Sequence, residues 1–290
     1  MLKPKSSNIP KPTRYQNAAI DYYMGLTNSS YLHYGYWEPL PIAGEELTLT
    51  RLRAAQEAYT AKLLSFIPET VKTVLDVGCG IGGNAAYLDV RGFTVEGLAP
   101  DALQQQRFIK NTNSQVPFYL MRFEDFHSSN SYDLILLSES SQYIAINDLA
   151  EGAARFLSSN GYLLLADMMR SNAEYQKGIF SNCHVASELQ AALIKAGFKL
   201  IKTEDISTQV APTIDLCVEK FRTFGLTTIK YIADLVAIAF PPLHALGRWV
   251  FKRWLEKPIA EGLAARTIFE SHLCYSIQLW QLSIHEVNLR

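Results

Sequence analysis

Apolar and polar positions change period several times along the chain, and each change marks an element. From about Leu47 to Phe66 apolar residues recur at helical spacing (Leu52, Ala55, Tyr59, Leu63), and Pro68 closes the run. Short apolar runs then alternate with helix-like segments. Thr73–Val77 reads as a first strand, followed by a glycine-rich turn and a helix through Leu88. Thr94–Leu98 reads as a second, with a glutamine-rich helix after it. Phe118–Met121, Tyr132–Leu137, Tyr162–Ala166 and Phe198–Ile206 follow as strands three to six. Helix-like segments lie near Asp148–Leu157 and Ser187–Ala196.

After Ser207 the pattern changes. Residues 208–265 read as helices broken at Pro241-Pro242, and His272–Ser283 returns to period two, with Leu273, Tyr275, Ile277, Leu279 and Gln281 on one face. The whole predicts an α/β, Rossmann-like fold: a seven-stranded, mostly parallel sheet with helices on both faces, and a helical insertion before the last strand acting as a cap. The expected organisation is a flexible leader (1–14), a core with an N-terminal aromatic segment (15–207), the cap (208–265), and the last strand with the C-terminus (266–290).

Charge narrows the partners. Lys plus Arg is 27 and Asp plus Glu is 28. That balance gives no footprint for nucleic acid, whose binders show a basic face. Local basic residues remain at Arg248, Lys252 and Arg253. Cys79, Cys183, Cys217 and Cys274 are far apart with no CxxC pair, so neither a metal site nor a disulfide framework is expected. The polar, proline-rich start lacks the apolar core of a secretion signal, and Ile229–Leu246 is too broken by Lys230, Asp234 and the prolines to span a bilayer. A cytoplasmic enzyme is the expectation.

The sharpest chemical signal is Val74-Leu75-Asp76-Val77-Gly78-Cys79-Gly80-Ile81-Gly82-Gly83. A strand delivers the chain to a tight turn where glycines permit close approach of a ligand to the backbone. Glycines 78, 80 and 83 also satisfy the dinucleotide pattern GxGxxG, which leaves a nicotinamide or flavin enzyme as a competing reading. Asp76, two residues before the first glycine, and the GxGxG spacing completed by Gly82 point elsewhere.

With those two features Asp76–Gly82 resembles the first motif of class I S-adenosylmethionine (SAM)-dependent methyltransferases. The resemblance implies that the turn (Gly78, Cys79, Gly80, Gly82) lies against the methionine part of SAM, with Asp76 helping to hold its ammonium group. Arg122-Phe123-Glu124-Asp125-Phe126 is similar to a segment of the cyclopropane-synthase and sterol-methyltransferase relatives. It implies that Phe123 stacks on adenine and that Glu124 or Asp125 accepts its amino protons; a core aromatic is the other reading of Phe123. Leu137 to Tyr143, with Ser138 and Glu139, resembles the end of the fourth strand in tocopherol- and sterol-type enzymes, although Gln142-Tyr143 replaces their usual Glu-His. The family's ribose-gripping acid is missing: Ala99 stands in its register, and Asp101 is the nearest substitute, Glu96 coming too early.

Tyr31-Leu32-His33-Tyr34-Gly35-Tyr36-Trp37-Glu38 resembles the entrance segment of small-molecule methyltransferases. The likeness implies that Tyr31 and Tyr36 fold over the sulfonium end of SAM, where aromatic faces suit a cation. Candidate bases are His33, Asp167, Glu139 and His184, with a structural role the other reading of His33 and of Glu139. The apolar cap, with Phe221, Phe224, Tyr231, Trp249 and Trp254, suits an apolar acceptor pocket, a dimer face or a membrane-surface contact. The expected function is methyl transfer to a small, largely apolar metabolite or natural-product intermediate, O-methylation first, C- or N-methylation next. A non-catalytic binding module is the alternative outside enzymes.

Overall fold

The computed structural model describes residues 29–283 together with Gly25 and Thr27, apart from the side chains of residues 246, 248, 250 and 253. The leader and most of residues 15–28 lie outside the described residues, as do the side chains of Arg248 and Arg253.

A first helix, α1 (Leu49–Leu64), precedes the sheet. Five parallel strands and their helices follow: β1 (Thr73–Val77), α2 (Gly83–Asp89), β2 (Thr94–Ala99), α3 (Ala102–Asn111), β3 (Phe118–Leu120), β4 (Tyr132–Ser138), α4 (Ile146–Phe156), β5 (Leu157–Arg170). Then come α5 (Ala186–Lys195) and β6 (Phe198–Asp205). The helical insertion comprises α6 (Ser207–Lys220), α7 (Leu226–Ala239), α8 (Pro241–Val250), α9 (Glu256–Leu263) and α10 (Ala265–His272), and leads into β7 (Leu273–Leu282). The sheet order is β3-β2-β1-β4-β5-β7-β6, with β7 antiparallel to both neighbours.

The inner strands β1, β4, β5 and β7 are apolar on both faces because both faces are covered, as in other largely parallel sheets. On β4, Leu134 and Leu136 join the core shared with α1, α3, α6 and α10, whereas Ile135 and Leu137 join the one shared with α4 and α5. The last strand shows the same division. Leu273, Tyr275, Ile277 and Leu279 share one face as the alternation predicts, yet the other face is buried too, around Trp280.

Strand ends agree to within a residue or two except for β5. It extends past Tyr162–Ala166 in both directions, because Tyr132 pairs with Leu157 at one end and residues 167–170 pair with 273–276 of β7 at the other. Asp167, expected just after this strand, therefore lies inside it.

Strand succession reverses at β1, which has β2 on one side and β4 on the other. Such a switch point opens a crevice at the carboxyl ends of the strands, where α/β sheets bind ligands.

Candidate functional site

At that crevice the chain turns through Gly78 (φ 73°), Gly80 (φ 55°) and Gly82 (φ 87°) before entering α2. All three lie in the left-handed region that a Cβ disfavours, but their surroundings differ. A Cβ on Gly78 would stand 2.3 Å from the Cβ of Ser140, whose hydroxyl donates to the Val77 carbonyl at 2.6 Å. The end of β4 is thereby clamped onto the end of β1. A Cβ on Gly82 would strike the Phe108 ring at 2.8 Å. A Cβ on Gly80 would meet only the end of one side chain, Leu32 Cδ1, at 3.4 Å.

Asp76 is buried at the end of β1, and its Oδ2 has no hydrogen-bond partner among the described residues. Burial pushes its carboxyl up from 3.8 to about 7. An orphaned carboxylate oxygen beneath a glycine turn fits a cationic ammonium group, as the methionine end of SAM would supply. On the neighbouring strand Ala99 is buried, and Asp101 caps α3: its Oδ1 accepts from Leu103 N at 2.8 Å and Gln104 N at 2.9 Å. The substitute for the missing ribose acid thus spends one oxygen on a helix N-terminus. Glu96 accepts from the Tyr132 hydroxyl, away from the turn.

Phe123 departs from the expected adenine stack. It is 3% exposed and packs on Gly152 of α4, where a Cβ would meet the ring at 2.7 Å, and beside Phe156. The apolar side of α4 has drawn the ring into the core. Glu124 pairs with Arg122 at 2.7 Å, and Asp125 is exposed.

The entrance segment is pinned by polar groups set into otherwise apolar helix faces. Gln56 of α1 donates to the His33 carbonyl at 2.7 Å and accepts from Ser29 Oγ at 2.7 Å. Thr213 of α6 accepts from Gly35 N at 3.0 Å and Trp37 Nε1 at 2.9 Å. Tyr31 lies over the turn, since a Cβ on Gly83 would touch its ring at 2.5 Å. Tyr36 points elsewhere, lying under the Lys62 ammonium that pairs with Glu204 of β6. His33 stacks on Tyr59 at 4.2 Å and has both ring nitrogens engaged. Nδ1–H donates to the Tyr34 carbonyl at 2.8 Å, which leaves Nε2 to accept from Thr60 Oγ1 at 3.2 Å. Burial lowers its pKa to about 4, so the ring is neutral.

Behind this segment, Glu139 holds a left-handed backbone (φ 56°) just past β4. Its Oε1 accepts from Tyr34 N at 2.7 Å and from the Tyr275 hydroxyl at 2.8 Å. The Tyr275 and Tyr59 hydroxyls are 2.8 Å apart, and Tyr59 reaches Ser138 Oγ at 3.2 Å. Burial raises the Glu139 carboxyl to about 8. Asp167 is spoken for: Oδ2 accepts from Ser141 N at 2.9 Å and Oγ at 2.6 Å, and Oδ1 from Met168 N at 2.9 Å. Burial still lifts it to about 6. His184 donates from Nε2 to the Ser141 carbonyl at 2.8 Å. Sequence reasoning missed Gln56, Thr60, Tyr59, Thr213 and Tyr275. Gln56 and Thr60 did leave a signal, as polar residues in register with Leu52 and Leu63 on the buried face of α1.

A cavity of about 550 Å³ lies between the entrance segment and the insertion. Leu32 and Tyr34 form one wall, and Ile214, Val218 and Phe221 from the α6 side and Ile259 from α9 form others. Leu32, which a Cβ on Gly80 would touch, is thus shared between the turn and the cavity wall. Phe224 is 68% exposed and does not line it; Phe221 does.

Residues 51–203 match a family described as a methyltransferase domain. The chain is 26% identical over 215 residues to a sterol 24-C-methyltransferase of Pneumocystis carinii, covering 63% of this chain and 53% of that protein, so it spans about half that relative's length. It is 27% identical over 213 residues to the O-methyltransferase cnsE of Penicillium expansum, covering 68% of this chain and 74% of that one. Among solved structures, geranyl diphosphate C-methyltransferase from Streptomyces coelicolor A3(2), in complex with S-adenosyl-L-homocysteine (SAH), superposes with a TM-score of 0.66 at 16% identity, over 97% and 100% of the two chains. The [4+2]-cyclase SpnF gives 0.68 at 15% identity, over 95% and 96%, so one fold serves more than one chemistry.

Two outcomes follow from the turn. Gly80→Asp is expected to remain folded and to lose SAH binding in calorimetry, whereas Gly78→Ala, which collides with Ser140, is expected to lower the melting temperature. Wild-type SAH affinity in Gly80→Asp would remove the turn from the ligand site. For Asp76, a folded pKa above the ordinary value means no cost below about pH 4 and a growing cost as pH rises through 7. Asp76→Asn should therefore stabilise the ligand-free protein at pH 8, by up to about 3 kcal/mol, while weakening SAH binding. Urea denaturation at pH 5 and pH 8 checks the first half and calorimetry the second.

Proposed function

Since this chain belongs to the methyltransferase-domain family, we propose that it is a SAM-dependent enzyme that methylates a small, largely apolar metabolite or natural-product intermediate, at oxygen in the first place. The observation that carries this reading is the shared wall at Leu32. It sets an apolar cavity of about 550 Å³, within the ordinary range of small-molecule sites, against the surface of Gly80.

When bound, SAM would supply an electrophilic methyl group on a sulfonium that is already a good leaving group. The chain's own work is to bind, orient and take up a proton. Gly78–Gly82 and Asp76 would hold the methionine end, with Tyr31 and Leu32 over it. The insertion and entrance segment would exclude water from the acceptor.

Of the four candidate bases, His33 and Asp167 have their acceptor atoms committed to holding the fold, and we assign them positioning roles. Glu139 is the best proton acceptor, because both of its hydrogen bonds fall on Oε1, which leaves Oε2 to take up a proton beside the cavity residue Tyr34. Methylation at carbon is the second reading, favoured by the likeness to the sterol 24-C-methyltransferase.

Turnover of methyl-labelled SAM across a panel of apolar alcohols, phenols and isoprenoids tests the reading. No turnover with any acceptor, despite SAH binding, would favour a non-catalytic module. Phe221→Ser should raise the acceptor KM several-fold or lower kcat with SAH affinity unchanged. A loss of SAH affinity would place Phe221 with the cofactor instead. Because only ionised Glu139 accepts a proton, kcat should rise with pH and level off above about 8. Glu139→Gln should lower kcat about 100-fold and abolish that limb. A variant within threefold of wild type would place the base elsewhere.

A further inference from the structure

Between the cavity wall at Phe221 and the next wall residue, Pro258, the chain leaves the body as a helical hairpin, α7 and α8, flanked by wide turns at Phe221–Gly225 and Phe251–Leu255. No residue of α7 or α9 is buried. Twelve of the 21 exposed large apolar residues among the described residues lie between Phe224 and Leu255, including Ile238 (81% exposed), Phe240, Trp249 and Trp254. An apolar surface of this kind marks a binding face.

Charge decides the occupant. Residues 224–255 hold four Lys or Arg (Lys230, Arg248, Lys252, Arg253) against one acid, Asp234, a net +3 in a chain whose total is −1. Across a two-fold interface with a second copy, this positively charged segment would meet a copy of itself. An anionic lipid surface complements them. Tryptophans and phenylalanine suit the boundary between headgroups and acyl chains, and lysines keep their ammonium groups in the headgroups while their stems lie on apolar surface. No described helix is long and apolar enough to cross a membrane, so the hairpin would lie on the surface.

We propose that residues 224–255 dock the protein onto anionic membranes, with the cavity at the hairpin's base open to acceptors dissolved in the bilayer. The docking stands on the hairpin alone. The delivery of an acceptor rests on the function proposed above, and narrows its substrate class to membrane-dissolved amphiphiles.

Flotation of the full chain with phosphatidylcholine vesicles, with and without phosphatidylglycerol, tests it. Expected is strong binding to the anionic vesicles, weak binding to neutral ones, and release at high salt. Lys252→Glu should lower partitioning about tenfold, on the scale of one basic residue at an anionic surface replaced by an acid. Ile238→Asp should lower it further, and SAH binding should stay at wild-type level in both. The proposal is overturned if the protein does not float with anionic vesicles, or if both variants float as wild type does. It is equally overturned if ultracentrifugation shows a dimer that Ile238→Asp dissociates while vesicle binding is absent. Floating protein that turns over no acceptor would sink the proposed function and leave the docking intact.

Discussion

Everything at the crevice depends on one close approach, the end of β4 against the end of β1. Ser140 closes onto Gly78 so tightly that no side chain fits between them. The Ser140 hydroxyl turns that contact into a clamp by donating to the Val77 carbonyl. Around that contact Gly80 is covered by Leu32 alone, Asp76 is buried beneath the turn, and Glu139, left-handed at φ 56°, accepts from the entrance segment. The site is a consequence of how two strands end, more than of any one functional side chain.

Much of the sheet was legible in advance, because parallel strands covered on both faces are written as short apolar runs between turns. Thr73–Val77 is the same segment in sequence and in structure. The fifth strand runs beyond its apolar segment at both ends. Ser158–Gly161 has turn composition, and residues 167–170 are held in the sheet by β7, a partner more than 100 residues away. Local periodicity carries no information about such a partner.

In the site, the glycine turn was legible and the hydrogen-bonded groups around it were not. Tyr59, Glu139 and Tyr275 meet from three distant parts of the chain, and nothing in their local sequence marks them as neighbours. Phe123 shows the converse. Its motif suggested a stacking ring, but Gly152 opens a gap on α4 that an aromatic side chain fills. The missing ribose acid also looks different in three dimensions. Asp101 stands near the expected place, yet one of its oxygens serves the N-terminus of α3, so whatever meets the ribose must share it or come from another residue.

The position of the last strand governs how the chain can be assembled. β7 lies between β5 and β6, so those two strands are made long before the piece that joins them. Until residues 273–282 leave the ribosome, both expose unpaired backbone edges, and Leu163, Leu165 and Leu200 lack the Trp280 side of their core. Such edges are templates for pairing with other chains. The insertion is synthesised during this interval and delays closure by its own length. A fold completed by its last strand spends its vulnerable period on the ribosome, where chaperones rather than its own packing must guard it.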